Sequence, residues 1–236
     1  MLPWLAGLAQ ACAIAAPWNG QPLWWLQIVS LAVLVWQLDG LRSTTEAPRA
    51  WRRAGLVAWA FATAWLCGST WWLFVSMHTY GGLAAPLAGI ATGWLAAGPG
   101  LYYALAGALY VSWAPKRRGG AAILFAALWT LGELLRNSLF TGFPWGAGGY
   151  AHLDGPLVAF ARNVGVYGIG AMAAFIAALL AGSLAQASTL NWRRVRSWLP
   201  LAVLSVFVLY GGLASHCLVN DCRAPASADP ASAGRD

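Results

Sequence analysis

The sequence predicts an all-α polytopic membrane protein with about seven transmembrane helices, an N-terminus inside the cell and a C-terminus outside. Three observations predict this class. The 236 residues are 60% hydrophobic and 9% charged, whereas soluble domains have roughly 45–50% apolar and about 25% charged residues. The mean hydropathy is +0.61. The basic residues form short clusters between long apolar runs, as topology determinants do.

The helices can be assigned in order, since a span needs roughly 20 mostly apolar residues. The turn at Pro17–Pro22 predicts that the first two helices form a hairpin, and the opening segment lacks the basic region of a signal peptide. Glycines around Pro99 predict a kinked fourth helix. The predicted stretches are 2–16, 22–38, 52–77, 86–113, 121–140, 157–186 and 198–214.

The charges set the predicted orientation. Ten of the fourteen basic residues fall in the loops after the second, fourth and sixth helices, and four fall on the other side. This bias favours an N-in, C-out protein, multi-pass in a bacterial inner membrane. The same clustering argues against nucleic acid as a partner, despite the net charge of +7. The inside residues are Arg42, Arg49, Arg52, Arg53, Lys116, Arg117, Arg118, Arg193, Arg194 and Arg196.

Two units are expected, a helical domain over 1–214 and a polar tail over 215–236. The tail is rich in Ala, Ser, Pro and Asp and is predicted to be disordered in the periplasm. Cys217 and Cys222 lie in the tail, and a disulfide between them is left open. Cys12 and Cys67 lie in apolar runs and are interpreted as small core residues.

Charged residues inside the sixth apolar stretch are the first candidates for function. Glu133 and Arg136 are three residues apart, which places them on one face of a helix. Charge at that depth is costly, so both are expected to be paired or to face a polar cavity. An ion pair that locks helices together and a polar wall for a lipid headgroup are equally compatible with the sequence.

The segment after this stretch, from Thr141 to Pro156, is too rich in glycine and proline for a helix. It carries Gly142, Phe143, Pro144, Trp145 and Tyr150. These residues fit either an interfacial aromatic anchor or a lid-like segment that contacts a lipid substrate.

A second aromatic cluster closes the third stretch on the same side and includes Trp72 and Tyr80. It is typical of an aromatic belt. His78 and His152 are single histidines without further ligands nearby in sequence, so neither a metal site nor a cofactor is expected. No phosphate-binding loop and no nucleophile–base motif is present.

Several blocks together resemble the N-terminal membrane domain of bacterial apolipoprotein N-acyltransferases. The similarity extends in order to about residue 212. The blocks are Glu133–Arg136, Thr141–Trp145, Gly149–Tyr150, Asp154–Leu157 and Gly165–Gly168, with Trp72–Ser76, Thr79–Gly82, Pro17 and Trp24.

The resemblance implies a function. The family transfers an acyl chain from a phospholipid, through a cysteine thioester, to the α-amino group of a diacylglyceryl-cysteine on a lipoprotein. The partners implied are therefore the phospholipid donor, the lipoprotein and a nitrilase-like domain that carries a Glu, a Lys and a Cys. The site residues implied are Arg136, Gly142, Phe143, Pro144 and Trp145, with Arg136 meeting a phosphate and Glu133 holding Arg136.

The sequence departs from the family in its catalytic part, since no strand–helix alternation follows the seventh stretch. Lys116 is the only lysine and lies in an inside loop. Cys217 and Cys222 have no neighbouring base except His216, so they are poor nucleophiles. The chain alone is therefore expected to be catalytically inert.

Three interpretations follow. The chain is the membrane half of a truncated or split N-acyltransferase, or a stand-alone membrane protein that binds lipid or lipoprotein. A small transporter is the third alternative, although no repeated half is visible.

Overall fold

The computed structural model describes residues 1–44, 47–139 and 142–187. All of the described elements are helical. The α-helices are α1 (Leu2–Ile14), α2 (Trp24–Thr44), α3 (Ala47–Ser69), α4 (Trp71–Val75), α5 (Ala85–Trp113), α6 (Arg118–Ser138) and α7 (Ala161–Ala187). A π-helical turn covers Ser76–Tyr80, and 3₁₀ turns cover Gly148–His152 and Pro156–Phe160.

Six of these helices form a closed ring. Going around it, α1 contacts α3, α3 contacts α5, α5 contacts α6, α6 contacts α7, α7 contacts α2, and α2 returns to α1. Aromatic side chains fill the interior, with Trp65 and Trp129 stacked at 5.5 Å and Tyr103 at 4.8 Å from Trp129. All three are buried, so the ring encloses a packed core.

The helices of the ring alternate in direction along the chain, so two pairs of ring neighbours run parallel, α1 with α3 and α2 with α7, and the other neighbours run antiparallel. Contacts of glycines with neighbouring helices show these directions, and small residues are common where membrane helices pack. A Cβ placed on each of these glycines would lie within 4 Å of the residue named with it: Gly7 with Phe61, Gly68 with Ala11, Gly107 with Ala54, Gly100 with Thr63, and Gly182 with Arg118. The bundle therefore has two chemically different ends.

One end, here called the basic end, carries the α2–α3 and α5–α6 turns. Its described basic residues are Arg42, Arg49, Arg52, Arg53, Lys116, Arg117 and Arg118. The other end, here called the aromatic end, carries the segments 71–82 and 142–155. The alternating helix directions predicted from the charges thus place the basic clusters of the described residues at one end of the bundle.

The chain is a helical membrane protein. Within the described residues, three helices are long and apolar enough to cross a membrane: Trp24–Ser43, Arg118–Ser138 and Pro156–Ser183. A bent pair, Arg49–Ser69 with Trp71–Tyr80, brings the number to four if it counts as one span. The predicted total of seven stays a prediction, because the stretch 198–214 and the tail 215–236 lie outside the described residues.

The third predicted stretch, 52–77, is wrong as a single helix. The chain bends by 56° between α3 and the segment Trp71–Tyr80. The Thr70 hydroxyl donates a 2.8 Å hydrogen bond to the Leu66 carbonyl, and such back-bonding of threonine tends to bend helices. The bend turns the aromatic residues 71–80 away from the axis of α3.

The other predicted stretches correspond to helices with shifted ends. The hairpin turn is present, since the amide of Gly20 donates to the Ala16 carbonyl over 2.7 Å. Helix α5 continues without interruption from Ala85 to Trp113 with Pro99 inside, so the predicted kink does not break it. Helix α7 contains a non-helical residue, Gly165.

Candidate functional site

The two aromatic clusters predicted from distant parts of the sequence meet at the aromatic end. The rings of Trp72 and Trp145 make an edge-to-face contact with centroids 5.7 Å apart. The bend at Thr70 brings the first cluster toward the second, because it directs α4 sideways. Both tryptophans are exposed, which leaves much of their apolar surface available to a partner.

A cavity of roughly 530 Å³ opens beside this pair. Its volume lies within the range of about 300–1,000 Å³ that is usual for small-ligand sites. The wall is mostly apolar and aromatic and comes from α1, α3, α4 and the loop after α6. The lining residues are Ala11, Ile14, Ala15, Gly68, Ser69, Trp71, Trp72, Pro144, Trp145, Gly146 and Tyr150.

Gly142 is the first described residue of the loop that carries Trp145, four residues after the end of α6 at Ser138. Gly142 has a φ of +76°, a conformation that favours glycine at helix C-termini. A Cβ at this position would lie 2.0 Å from the Asn137 carbonyl oxygen. The amide of the next residue, Phe143, donates a 2.8 Å hydrogen bond to the Arg136 carbonyl. Gly142 is therefore needed for the chain to turn back over the bundle.

Arg136 holds this loop from below. Its Nη1 donates to the carbonyls of Phe143 at 2.7 Å and Trp145 at 2.6 Å. Its Nε donates to the Tyr103 hydroxyl at 3.2 Å, and its guanidinium lies 5.7 Å from the Trp65 ring centre. The residue is 1% exposed, so it ties the cavity wall to the aromatic core.

Glu133, one turn earlier on α6, holds the same loop at a second point. Its Oε1 accepts a 2.8 Å hydrogen bond from the amide of Gly148. Its other oxygen, Oε2, is buried with no hydrogen-bond partner among the described residues. The two charged residues form no ion pair with each other in the described part of the chain. The side chains therefore point to loop backbone, and Glu133 does not hold Arg136 by a salt bridge.

Further buried polar side chains converge on Gly148. A Cβ on this glycine would lie 2.5 Å from Gln27 Nε2, 3.2 Å from Glu133 Oε1 and 3.5 Å from Gln10 Nε2. Gln10 in turn accepts a hydrogen bond from the Ser30 hydroxyl. This cluster was not among the site residues predicted from the sequence. The signal was present, because polar residues inside apolar helices usually face the protein interior.

His152 was also missed as a buried residue. It is fully buried in the 3₁₀ turn Gly148–His152, and neither ring nitrogen has a hydrogen-bond partner among the described residues. Burial lowers its pKa to about 4, so the ring is neutral at neutral pH.

The predicted site residues thus fall into three groups. Trp72, Pro144, Trp145 and Tyr150 line the cavity. Glu133, Arg136, Gly142 and Phe143 lie behind the cavity wall, where Glu133 and Arg136 bind loop backbone and Gly142 shapes its turn. Tyr80 is 85% exposed at the end of the π-helical turn and is not among the cavity-lining residues.

The arrangement suits binding of an apolar chain next to aromatic rings. The described residues that line the cavity include no cysteine, lysine or carboxylate. They therefore offer no thiol nucleophile with a neighbouring base, which acyl transfer through a cysteine requires.

Comparison with known proteins agrees with the resemblance seen in the sequence. Residues 6–179 match the family model described as the apolipoprotein N-acyltransferase N-terminal domain. An apolipoprotein N-acyltransferase of Verminephrobacter eiseniae is 50% identical over 226 residues, which cover 95% of this chain and 41% of the relative. One from Ralstonia nicotianae is 42% identical over 172 residues, covering 72% of this chain and 31% of the relative.

A third relative, from Pseudomonas putida, is 36% identical over 178 residues and is covered over 33% of its length. The chain thus spans between about a third and two fifths of these bacterial relatives. The match covers the described helices and the aromatic end together. The chain belongs to the apolipoprotein N-acyltransferase family and corresponds to its N-terminal domain.

Proposed function

We propose that this chain acts as the membrane domain of apolipoprotein N-acylation, in the inner membrane, with its aromatic end on the outer side. In this role it binds a phospholipid acyl donor and the diacylglyceryl-cysteine end of a lipoprotein. The acyl transfer itself belongs to a nitrilase-like domain with which this domain works. The relatives are named for the whole reaction, and this chain spans only part of their length.

One observation carries the proposal, namely the cavity shared by the two aromatic clusters. Trp72 and Trp145 are 73 residues apart in the sequence but touch at the cavity rim, with ring centroids 5.7 Å apart. An apolar cavity with exposed aromatic rings at one end of a membrane bundle suits an acyl chain that enters from the lipid. Aromatic rings also favour the interfacial depth at which acyl chains meet headgroups.

The polar residues behind the wall have a positioning role in this proposal. Arg136 is buried and two of its donors are engaged by the Tyr103 hydroxyl and loop carbonyls, so it is poorly placed to meet a lipid phosphate as the sequence suggested. Arg136 and Glu133 instead hold the loop that presents Trp145. Removing either is expected to weaken lipid binding through the shape of the wall.

The direct test is lipid and lipopeptide binding by Trp145→Ala. The full chain, purified in detergent, is titrated with a labelled phospholipid and with a diacylglyceryl lipopeptide. Losing the ring removes apolar contact worth about 1.5–3 kcal/mol when fully buried, so affinity should fall roughly tenfold or more. Trp94→Ala is the matched control, since Trp94 is 78% exposed on α5 and lies outside the cavity lining.

Equal affinities of the wild type and Trp145→Ala would contradict the proposal. A second measurement separates it from a stand-alone binding role. Adding a nitrilase-like domain from a relative should produce N-acylated lipopeptide with the wild-type chain and less with Trp145→Ala. Lipid binding without any gain of acylation would favour the stand-alone alternative.

A further inference from the structure

The basic end has a property that the proposed lipid cavity does not use. We propose that the described residues at the basic end, on α2, the first turns of α3 and the α5–α6 turn, together form a binding surface for phospholipids with a net negative headgroup, in the leaflet opposite to the cavity. The proposal is independent of the cavity, because it concerns the other end of the bundle.

Arg42, near the end of α2, fixes the start of the α5–α6 turn to α2. Its Nη2 donates to the Ala114 carbonyl at 2.5 Å, and its Nη1 lies 3.4 Å from Asp39 Oδ1. The Tyr110 hydroxyl donates to the same Asp39 oxygen at 3.0 Å. The start of the α5–α6 turn is therefore held against α2, and its basic residues form one surface with Arg42.

The sequence gives this end an unbalanced charge, because the segments 39–53 and 114–118 carry seven basic residues and two acidic ones, Asp39 and Glu46. Among the described residues, Asp39 pairs with Arg42. The exposed basic residues on which the proposal rests are Arg52, Arg53, Lys116 and Arg117.

Tryptophans place this surface at headgroup depth. Trp113 is 66% exposed and precedes Lys116 by three residues, and Trp51 is 45% exposed beside Arg52. The Arg52 guanidinium lies 5.3 Å from the Trp51 ring centre. Exposed tryptophans in membrane proteins concentrate at the interface, so the adjacent cations lie where lipid phosphates are found.

These observations select the ligand class. A zwitterionic headgroup carries a cation that the basic surface repels. An anionic headgroup carries a net negative charge, which the surface attracts. Basic clusters next to membrane helices attract anionic lipids, and guanidinium groups match phosphate geometry. The aromatic end lacks such a surface among the described residues, because Arg136 is buried there and the exposed Arg162 lies near Asp154 in sequence.

Native mass spectrometry of the full chain tests this proposal. The protein in neutral detergent is mixed with equal amounts of phosphatidylglycerol and phosphatidylcholine with the same acyl chains. The wild type should retain phosphatidylglycerol preferentially, and the preference should weaken as ionic strength rises. Lys116→Gln with Arg117→Gln should lower the preference by about thirtyfold, from ~1 kcal/mol for each basic residue.

Two control variants show whether the effect depends on positive charge at the basic end. Arg162→Gln removes an exposed cation from the aromatic end and should leave the preference unchanged. Lys116→Arg with Arg117→Lys keeps both charges and should also keep it. Thermal unfolding without added lipid checks that each variant is folded.

The proposal is overturned if the wild type shows no preference for phosphatidylglycerol. It is equally overturned if the preference survives the double glutamine variant or falls as much in Arg162→Gln. Neither result would bear on the cavity, whose test is the Trp145 variant.

Discussion

Two arginines, one at each end of the bundle, show how differently the same side chain is used. Arg42 at the basic end is partly exposed, with 26% of its side chain accessible and a carboxylate 3.4 Å away. Arg136 at the aromatic end is buried and donates to two loop carbonyls and one hydroxyl. The first arginine has an acidic partner, one backbone carbonyl and access to solvent, while the second depends on neutral oxygens alone.

The difference indicates what each end does. At the basic end, charges stay near the surface, where they are available to headgroups and contribute little to stability. At the aromatic end, the buried charged side chains form hydrogen bonds with the loop backbone, and aromatic rings are exposed at the surface. A buried charge with neutral partners is costly to disturb, so the loop that lines the cavity should be held in one conformation.

The largest expected effect is the contrast between these two arginines. Arg136→Met leaves buried carbonyls without a donor, and hydrogen bonds to charged groups contribute about 1.5–3 kcal/mol each. We therefore expect a loss of about 3 kcal/mol or more in the free energy of unfolding. Arg42→Met should cost about 1 kcal/mol or less. Thermal unfolding of both variants in one detergent measures the difference, and an equal or larger loss for Arg42→Met would break the comparison.

The next effect concerns the turn that starts the loop. Gly142 and Gly20 have similar φ values of +76° and +71°, but only Gly142 has backbone close to where a Cβ would be. Each alanine substitution should cost about 1–2 kcal/mol for the left-handed conformation. Gly142→Ala should cost more, because its Cβ would lie 2.0 Å from the Asn137 oxygen. Similar unfolding temperatures for the two variants would contradict this role of Gly142.

A smaller effect depends on pH. Burial lowers the pKa of His152 to about 4 from a usual value of 6.5. Between these values the unfolded chain binds a proton that the folded chain does not, so stability should fall with falling pH by up to about 1.4 kcal/mol per unit.

His152→Phe should remove this part of the pH dependence below pH 6.5, whereas His78→Phe, at an exposed position, should keep it. Unfolding measured from pH 7.5 to 4.5 compares the three proteins. An unchanged slope in His152→Phe would show that other groups cause the acid sensitivity.

The smallest expected effect on stability is at the cavity rim. Trp72→Leu removes an exposed edge-to-face contact with Trp145, and such pairs contribute about 0.5–1.5 kcal/mol. The variant should therefore unfold close to the wild-type temperature but bind the lipopeptide more weakly. A large loss of stability with normal binding would assign Trp72 to the scaffold.

Much of this organisation was predictable from the sequence. Alternating helices between basic clusters place the segments of Trp72 and Trp145 on one side, and the two rings do meet there. The family assignment from the blocks around Glu133 and Thr141–Trp145 is confirmed by the match over residues 6–179. These features depend on residue order and spacing, which a sequence displays directly.

Other features depend on three-dimensional contacts that spacing does not show. The bend lies at Thr70, whose hydroxyl bonds back to the Leu66 carbonyl. Thr92 and Thr130 make the same kind of bond inside uninterrupted helices, so a threonine in the sequence does not identify the bend. Glu133 and Arg136 share a helix face, which suggested an ion pair. In the structure, both side chains instead form hydrogen bonds with backbone groups of the loop. The convergence of Gln10 and Gln27 on Gly148 requires knowing that α1, α2 and the loop meet at one point.

The bond between the Ser30 hydroxyl and Gln10 also bears on how the protein enters the membrane. Both residues lie in the first hairpin, and their side chains are buried, with 2% and 0% exposed. Because the two helices are adjacent in the chain, these polar groups can pair as soon as the hairpin is inserted, before later helices arrive. Partnered polar groups cost less in hydrocarbon than isolated ones. The hairpin is therefore suited to leave the translocon as a unit, onto which α3 can then pack through Gly7.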